Sequence, residues 1–398
     1  MDNTILRYST LIPIVRSVSP ILLVFLLAKF LPKEDYGFYV YCIGVIGLIL
    51  SVSSLNIMYS MQVAANKENI SQYSLAESVF IFKITTTIII GLIFTLFLLL
   101  QENIDFKTFA FLNLMLFFRV LNDFIFGYTR AINAFKQQFY FSTAEQLIFP
   151  LSILFIAVTN ELTIFNVFFS FIVSQFISTA FFLLFLSKDM FKLLPKLLNF
   201  SYIKTLLLIG LPMLPFTFSD LIISSIFPQI IFIEFGGSVT AEYAVAQKVA
   251  ILVTFPAMVL NNFYLQQLTI ANEANAEKFI STLLKFILNF SLAMLAVLIF
   301  ITFLKEIIIS FFFNIDYLGS LDAIQNLMYC YFLITLCSVL SGYFAVLQKT
   351  KVVGLLWINV LIFTSIIIYF CQFESYTDLI FAYNQILLLA FVCLCILI

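Results

Sequence analysis

The sequence predicts an all-α integral membrane protein with about 12 transmembrane helices, arranged as two six-helix lobes in a parallel pseudo-repeat. Three observations predict it. Of 398 residues, 63% are hydrophobic and only 10% are charged, where a soluble domain is typically about half apolar and about a quarter charged. Polar breaks divide the chain into apolar runs of spanning length. The two halves also echo one another at matched positions. One span with its loop takes about 32 residues, so this length leaves no room for a soluble domain of about 50–100 residues. A multi-span carrier or pore is therefore favoured over a receptor or an anchored enzyme.

The runs of the first half fall at 9–31, 38–65, 77–100, 108–130, 140–159 and 163–186. Each is too long and too continuously apolar for a barrel strand, so each reads as a helix. The first run is followed by Lys33, Glu34 and Asp35 rather than by a small-residue cleavage site, and is expected to stay as a helix. The segment 187–203 joins the halves. Its Lys188, Lys192 and Lys196 recur every four residues among Leu and Phe, which suits a short helix lying on the cytoplasmic leaflet. The second set falls at 204–232, 242–268, 279–304, 321–347, 352–371 and 377–398. The expected domains are an N-terminal lobe 1–186, the amphipathic linker 187–203 and a C-terminal lobe 204–398.

Orientation follows from the Lys/Arg bias. The N-terminus and the even-numbered loops hold eleven of the 20 basic residues, the odd-numbered loops only Lys29, Lys33, Lys107 and Lys305. Both termini are thus expected in the cytoplasm. The halves echo at Tyr36-Gly37-Phe38-Tyr39, which opens the second span, and at Gly236-Gly237 with Ala241-Glu242-Tyr243, which opens the eighth.

Several chemistries are excluded by what is missing. Without histidine, His-based acyltransfer and zinc proteolysis are out. The six cysteines form no CxxC pair and read as small apolar fillers, so no metal site is expected. No Gly-Lys-Ser/Thr phosphate loop is present, so the chain does not itself hydrolyse ATP.

Proline placement singles out two helices. Of nine prolines, Pro13 and Pro20 lie in the first span and Pro212, Pro215 and Pro228 in the seventh. Proline bends a helix, and bends at matching positions of two repeats point to a substrate path. Tolerance of proline in membrane helices is the plain structural explanation.

Five basic residues fall inside spans: Arg16, Lys83, Arg119, Lys248 and Lys285. A charge near mid-membrane costs at least about 2.5–3.5 kcal/mol on insertion scales, so it should face a partner or water. Arg119 lies deep in the fourth span with Asp123 four residues on. The two either pair along one helix face or form a cavity-facing pair that an anion loosens. Arg16, Lys83 and Lys248 are shallower, and either snorkel to the interface or line a cavity for an anionic headgroup. Lys285 reads as snorkelling. Asp220, between Pro215 and Pro228, is a candidate for carrying a coupling proton or cation, or for pairing with a neighbouring base. Glu77 and Glu145 are expected at the interface.

Five stretches together resemble a known family. They are LAKFLPKEDYGFYVYCIGVIGL (27–48), the basic Lys83 early in the third span, TRAINAFKQQFYFSTAEQL (129–147), the run 209–252 with Gly-Leu-Pro and Tyr243-x-x-Ala246-x-Lys248, and IIISFFFNIDYLGSLDAIQNLM (307–328). In order and spacing they resemble the polysaccharide-biosynthesis flippases, the O-antigen and capsule repeat-unit transporters of the multidrug/oligosaccharidyl-lipid/polysaccharide exporter superfamily. Pro32 lacks the Gly that precedes it in that pattern. The resemblance implies two six-helix lobes in a V around a central cavity, in the bacterial inner membrane. It implies a flippase rather than an enzyme, one that moves an undecaprenyl-diphosphate-linked oligosaccharide to the outer leaflet by alternating access. It further implies a monomer working beside glycosyltransferases and a polymerase, with no bound cofactor, no nucleic acid, and coupling to an ion or proton gradient. Arg16, Lys83, Arg119 and Lys248 are the residues expected to meet the diphosphate. A multidrug or lipid II exporter of the same superfamily is the nearest alternative; a membrane polysaccharide polymerase is the second.

Overall fold

The computed structural model describes residues 3–58, 60–61, 72–101, 104–132, 134–186, 199–211, 214–257, 276–313, 315–346 and 350–397. The N-terminal half contains α1 (Asn3–Phe30), α2 (Lys33–Ser54), α3 (Gln72–Leu100), α4 (Phe106–Ala131), α5 (Phe135–Thr159) and α6 (Ile164–Phe181), the last continuing into a π-helical turn at Phe182–Leu186. The second half contains α7 (Phe200–Gly210), α8 (Leu214–Leu221), a π-helical turn Ile222–Ile226, α9 (Phe227–Phe235), α10 (Gly237–Ala250), α11 (Ala276–Phe312), α12 (Leu321–Val346), α13 (Thr350–Phe370) and α14 (Tyr376–Leu397). Among the described residues, nine helices are long and apolar enough to cross a membrane. The first span (α1), the interrupted seventh (α7–α9) and the eighth (α10 with its short extension) complete twelve crossings.

Helices suit this sequence because a bilayer offers no water to backbone groups, and a helix satisfies them within itself. The same solvent explains the outward faces. Phe300, Phe303 and Phe311 on α11, and Tyr369 and Phe370 on α13, are exposed. Inside, Trp357, Phe227 and Tyr383 are fully buried. Helix starts are marked by polar caps: the side chains of Asp105, Thr163 and Asn199 accept from the backbone N–H groups of Thr108, Asn166 and Ser201. Hydrogen bonds from the Thr108 hydroxyl and N–H hold the exposed Asp105 carboxyl below the usual carboxylate range.

The seventh span carries a π-turn at Ile222–Ile226 just before Pro228, and the irregularity has a local cause. At the π-turn the Phe227 N–H reaches Ile222 O, one residue further back than in an α-helix. The next donor in that register would be Pro228, which has no N–H. The Ile223 carbonyl is thereby left to other donors, and α10 supplies two: the Tyr243 hydroxyl at 2.6 Å and Gln247 Nε2 at 3.0 Å. α1 is one continuous helix through Pro13 and Pro20.

The pieces of the seventh span also divide between the lobes. Ile203 and Leu206 of α7 are buried with Leu75 and Val79 of α3 and with Phe124 and Tyr128 of α4, all from the first half. α8 and α9 instead pack within the second half and against α2. The halves meet chiefly along α2 and α10. Small residues permit this close approach: a Cβ on Gly37 would fall on the Gly237 carbonyl, and a Cβ on Gly44 would lie 3.0 Å from the Ser225 carbonyl. Of the expected linker, residues 187–198 lie outside the described residues.

Candidate functional site

Between the lobes lies a cavity of about 520 Å³, within the usual range for a ligand site. α1, α2, α4, α5 and α6 form most of its wall, and the second half adds Ser224, Ala244, Gln247 and Lys248. Four charged residues singled out from the sequence meet here: Arg16, Arg119, Lys248 and Asp123 all line it. Lys83 stands immediately behind, fully buried, with its ammonium on the Asp123 carboxylate.

The pairing within the site is not the one that spacing along α4 allowed. Arg119 and Asp123 do not form an ion pair with each other. Arg119 donates to Glu145 Oε1 of α5 at 2.7 Å, and Asp123 takes Lys83 of α3. Two cross-helix bridges thus replace one bridge along a helix, and they tie α3 to α4 and α4 to α5. Glu145 was expected at the membrane interface; it is buried at 4% exposure and faces the cavity. Lys83 does not snorkel. With no polar interface in reach, a buried ammonium needs a carboxylate, and Asp123 provides it.

Arg16 and Lys248 are arranged differently. Arg16 lays its guanidinium 3.9 Å from the centroid of the Phe126 ring. Among the described residues neither Arg16 nor Lys248 forms an ion pair with a carboxylate. They line the same two voids, one from α1 and one from α10. Among the described residues, four cations against two carboxylates leave the cavity region net positive. A second, narrower void shares Arg16, Pro20 and Lys248 and is otherwise lined by Ile21, Ile251, Leu252, Thr254 and Phe255. It is a mostly apolar groove between α1 and the end of α10, and it shares two cations with the cavity.

Uncharged polar groups stiffen the wall. Asn122 Nδ2 donates to Gln175 Oε1 at 2.5 Å and to Ser178 Oγ at 3.2 Å, and the Thr179 hydroxyl donates to Asn122 Oδ1 at 2.5 Å. This satisfied network fixes α4 against α6. The Ser19 hydroxyl donates to the Gln146 carbonyl and fixes α1 against α5. Glu145 was not expected in the site, and this network was not singled out from the sequence. The signal available was the run of polar residues inside apolar spans, such as Asn122 beside Asp123, and Gln175 with Ser178 and Thr179. Pro20 lines the cavity, while Pro228 is fixed in α9 beside the π-turn. Pro212, and the side chains of Pro13, Pro215 and Asp220, lie outside the described residues. Among the described residues no cluster of three or more acidic or thiol groups could hold a metal.

Comparison with solved structures places this architecture. The chain is similar to an inward-facing multidrug resistance MATE family transporter of the MOP superfamily, with a TM-score of 0.72 at 14% identity over 96% of this chain and 94% of that one. It is similar to the lipid II flippase MurJ in an inward closed conformation, with a TM-score of 0.69 at 13% identity over 97% and 87%. An outward-facing MATE family transporter gives 0.65 at 14% identity over 98% and 94%. The chain has the two-lobe, twelve-helix fold of these proteins. No family model matches it, and no curated protein matches it in sequence.

Proposed function

We propose that the chain is a flippase of the bacterial inner membrane, which moves an undecaprenyl-diphosphate-linked oligosaccharide from the cytoplasmic to the outer leaflet for surface polysaccharide synthesis. The observation that carries this reading is the pair Arg16 and Lys248: one cation from each lobe, neither ion-paired to a carboxylate among the described residues, and both shared by the cavity and the apolar groove that adjoins it. A diphosphate is a compact anion, and charge-assisted hydrogen bonds to it strengthen where the dielectric is low. An apolar tail could stay in the groove and the bilayer while the sugars occupy the wet cavity among Ser51, Ser54, Gln146 and Gln247. Similarity to the lipid II flippase MurJ supports a lipid-linked cargo. Ion or proton coupling belongs to the same proposal.

Multidrug export is the second reading, and the MATE similarity favours it. A cationic drug would seek an unpaired acid, yet both described cavity carboxylates are already bridged, to Lys83 and to Arg119. The deciding experiment is a clean deletion in a host with no redundant transporter. The flippase reading expects lipid-linked repeat units trapped facing the cytoplasm and loss of surface glycan. Normal glycan with heightened sensitivity to cationic drugs would establish the exporter instead.

A further inference from the structure

The lobes touch at the end that the Lys/Arg bias assigns to the outside, and the contact there is built from charged groups. Lys33 opens α2 and reaches across to the second half. Its ammonium donates to Glu242 Oε1 at 2.7 Å and to the Asp316 carbonyl at 2.7 Å, and it sits 5.3 Å from the centroid of the Tyr317 ring. A carboxylate, a carbonyl and an aromatic face together form a socket for one cation. The next residue makes a second crossing. Glu34 accepts from the Ser238 N–H at 3.1 Å and the Ser238 hydroxyl at 2.6 Å. The N-cap of α10 is Gly236, whose φ of 86° suits glycine and which has no side chain to cap the helix. Glu34 therefore caps the α10 N-terminus from the opposite lobe, where a negative charge also complements the helix dipole. Between these contacts Gly37 lies directly on the Gly237 carbonyl, with no room for a Cβ.

We infer that Lys33 and Glu34 form a two-point ionic latch that holds the outer end of the lobes shut, with Glu242 and Ser238 as its keepers. Several features argue against a general structural role. Both interactions join residues more than two hundred positions apart, in different lobes. Both use exposed or partly exposed groups, with Lys33 and Glu242 at 25% and 18% side-chain exposure, so water can replace each contact when the lobes part. The latch also joins the equivalent turns of the two halves, so parting them would open the cavity along the pseudo-symmetry axis. A contact of this strength is reversible: a partly exposed ion pair is a modest interaction. The latch is independent of what the cavity carries.

The test uses the full-length protein in intact cells or right-side-out vesicles. A thiol is introduced by Val40→Cys, which lines the cavity, in a Cys371→Ser, Cys395→Ser background because those two native thiols are exposed. The rate at which a membrane-impermeant maleimide labels the new thiol from the Lys33 side is then measured. Lys33→Glu and Glu242→Lys each place like charges together, and each should raise the rate about fivefold or more. The double exchange should return it toward the parent rate, and Glu34→Gln should raise it more weakly. Unchanged rates in both single variants would overturn the latch, as would a double variant as fast as the singles. Glu34→Gln, which preserves shape, decides the matter should a charge reversal fail to accumulate in the membrane. Labelling is read without substrate, so failure of the latch leaves the flippase reading standing, and failure of that reading leaves the latch standing.

Discussion

Arg119 of α4 bridges to Glu145 of α5 at 2.7 Å, and in doing so leaves Asp123, one turn along its own helix, to the buried Lys83. The choice follows from burial. Lys83 has no exposed side-chain surface and needs a carboxylate, whereas Arg119, at 31% exposure, can also draw on water in the cavity. Removing one member should therefore cost unequal amounts. Asp123→Ala should destabilise the fold by about 3–5 kcal/mol, because it strands a buried ammonium. Arg119→Ala should cost less, since Glu145 lines the cavity and can take water from it. Thermal unfolding in a mild detergent would rank the two, and the reverse order would refute this assignment of burial.

The sealed π-turn gives a second expectation. Tyr243→Phe removes one of two donors to the Ile223 carbonyl and should cost about 1 kcal/mol. Tyr243→Phe with Gln247→Leu leaves that buried carbonyl without either donor, so the double variant should lose more than the sum of the singles. Additive losses in a double-mutant cycle would show that the carbonyl finds another partner.

Close approach at the outer end gives a third. Gly37→Ala places a methyl group on the Gly237 carbonyl, so the lobes must part there or the backbone must shift. The variant should accumulate normally in the membrane, because the overlap is relieved by opening rather than by unfolding. It should also leave the cavity more accessible from the Lys33 side. Accessibility at the parent level would mean that the turn yields locally.

The α4 cap gives a pH dependence. Folding lowers the Asp105 pKa, so its stabilisation is fully present above the unfolded value of about 3.9 and fades as pH falls through the lower folded value. Asp105→Ala should cost about 0.5–1 kcal/mol at neutral pH, the lower part of the range for a helix cap at an exposed site. The difference from the parent should shrink toward zero at acid pH. Melting temperatures of both proteins at neutral and acid pH would check it.

Much of this was legible in the sequence because the bilayer imposes it. Apolar runs, their number and their helical form follow from a solvent that bonds to nothing. The in-span charges were legible for the same reason: Arg16, Arg119, Asp123 and Lys248 had to face something polar, and the cavity is where they meet. Which partner each would take was not legible. Lys83 and Asp123 are forty positions apart, and Arg119 and Glu145 twenty-six, so their pairing depends on how α3, α4 and α5 pack. Glu145 looked interfacial because its run was expected to begin near 140; α5 begins at Phe135, which carries the carboxylate deeper along the helix. The seventh-span irregularity was legible from its prolines, but that α7 would sit with the first half was not. That depends on Ile203 and Leu206 meeting Leu75 and Val79 across the chain.

The central claim is that Arg16 and Lys248 receive a diphosphate where the cavity adjoins the apolar groove and that the cavity carries its sugars across. Its most direct test is transbilayer movement of an undecaprenyl-diphosphate-linked oligosaccharide in proteoliposomes of the purified protein, followed by enzymatic access to the sugar from one face. The account predicts movement by the parent protein, and at least a tenfold loss, about 1.4 kcal/mol in rate terms, in Arg16→Ala with Lys248→Ala at equal protein content. Full movement by that double variant, or none by the parent when a gradient is supplied, would contradict it.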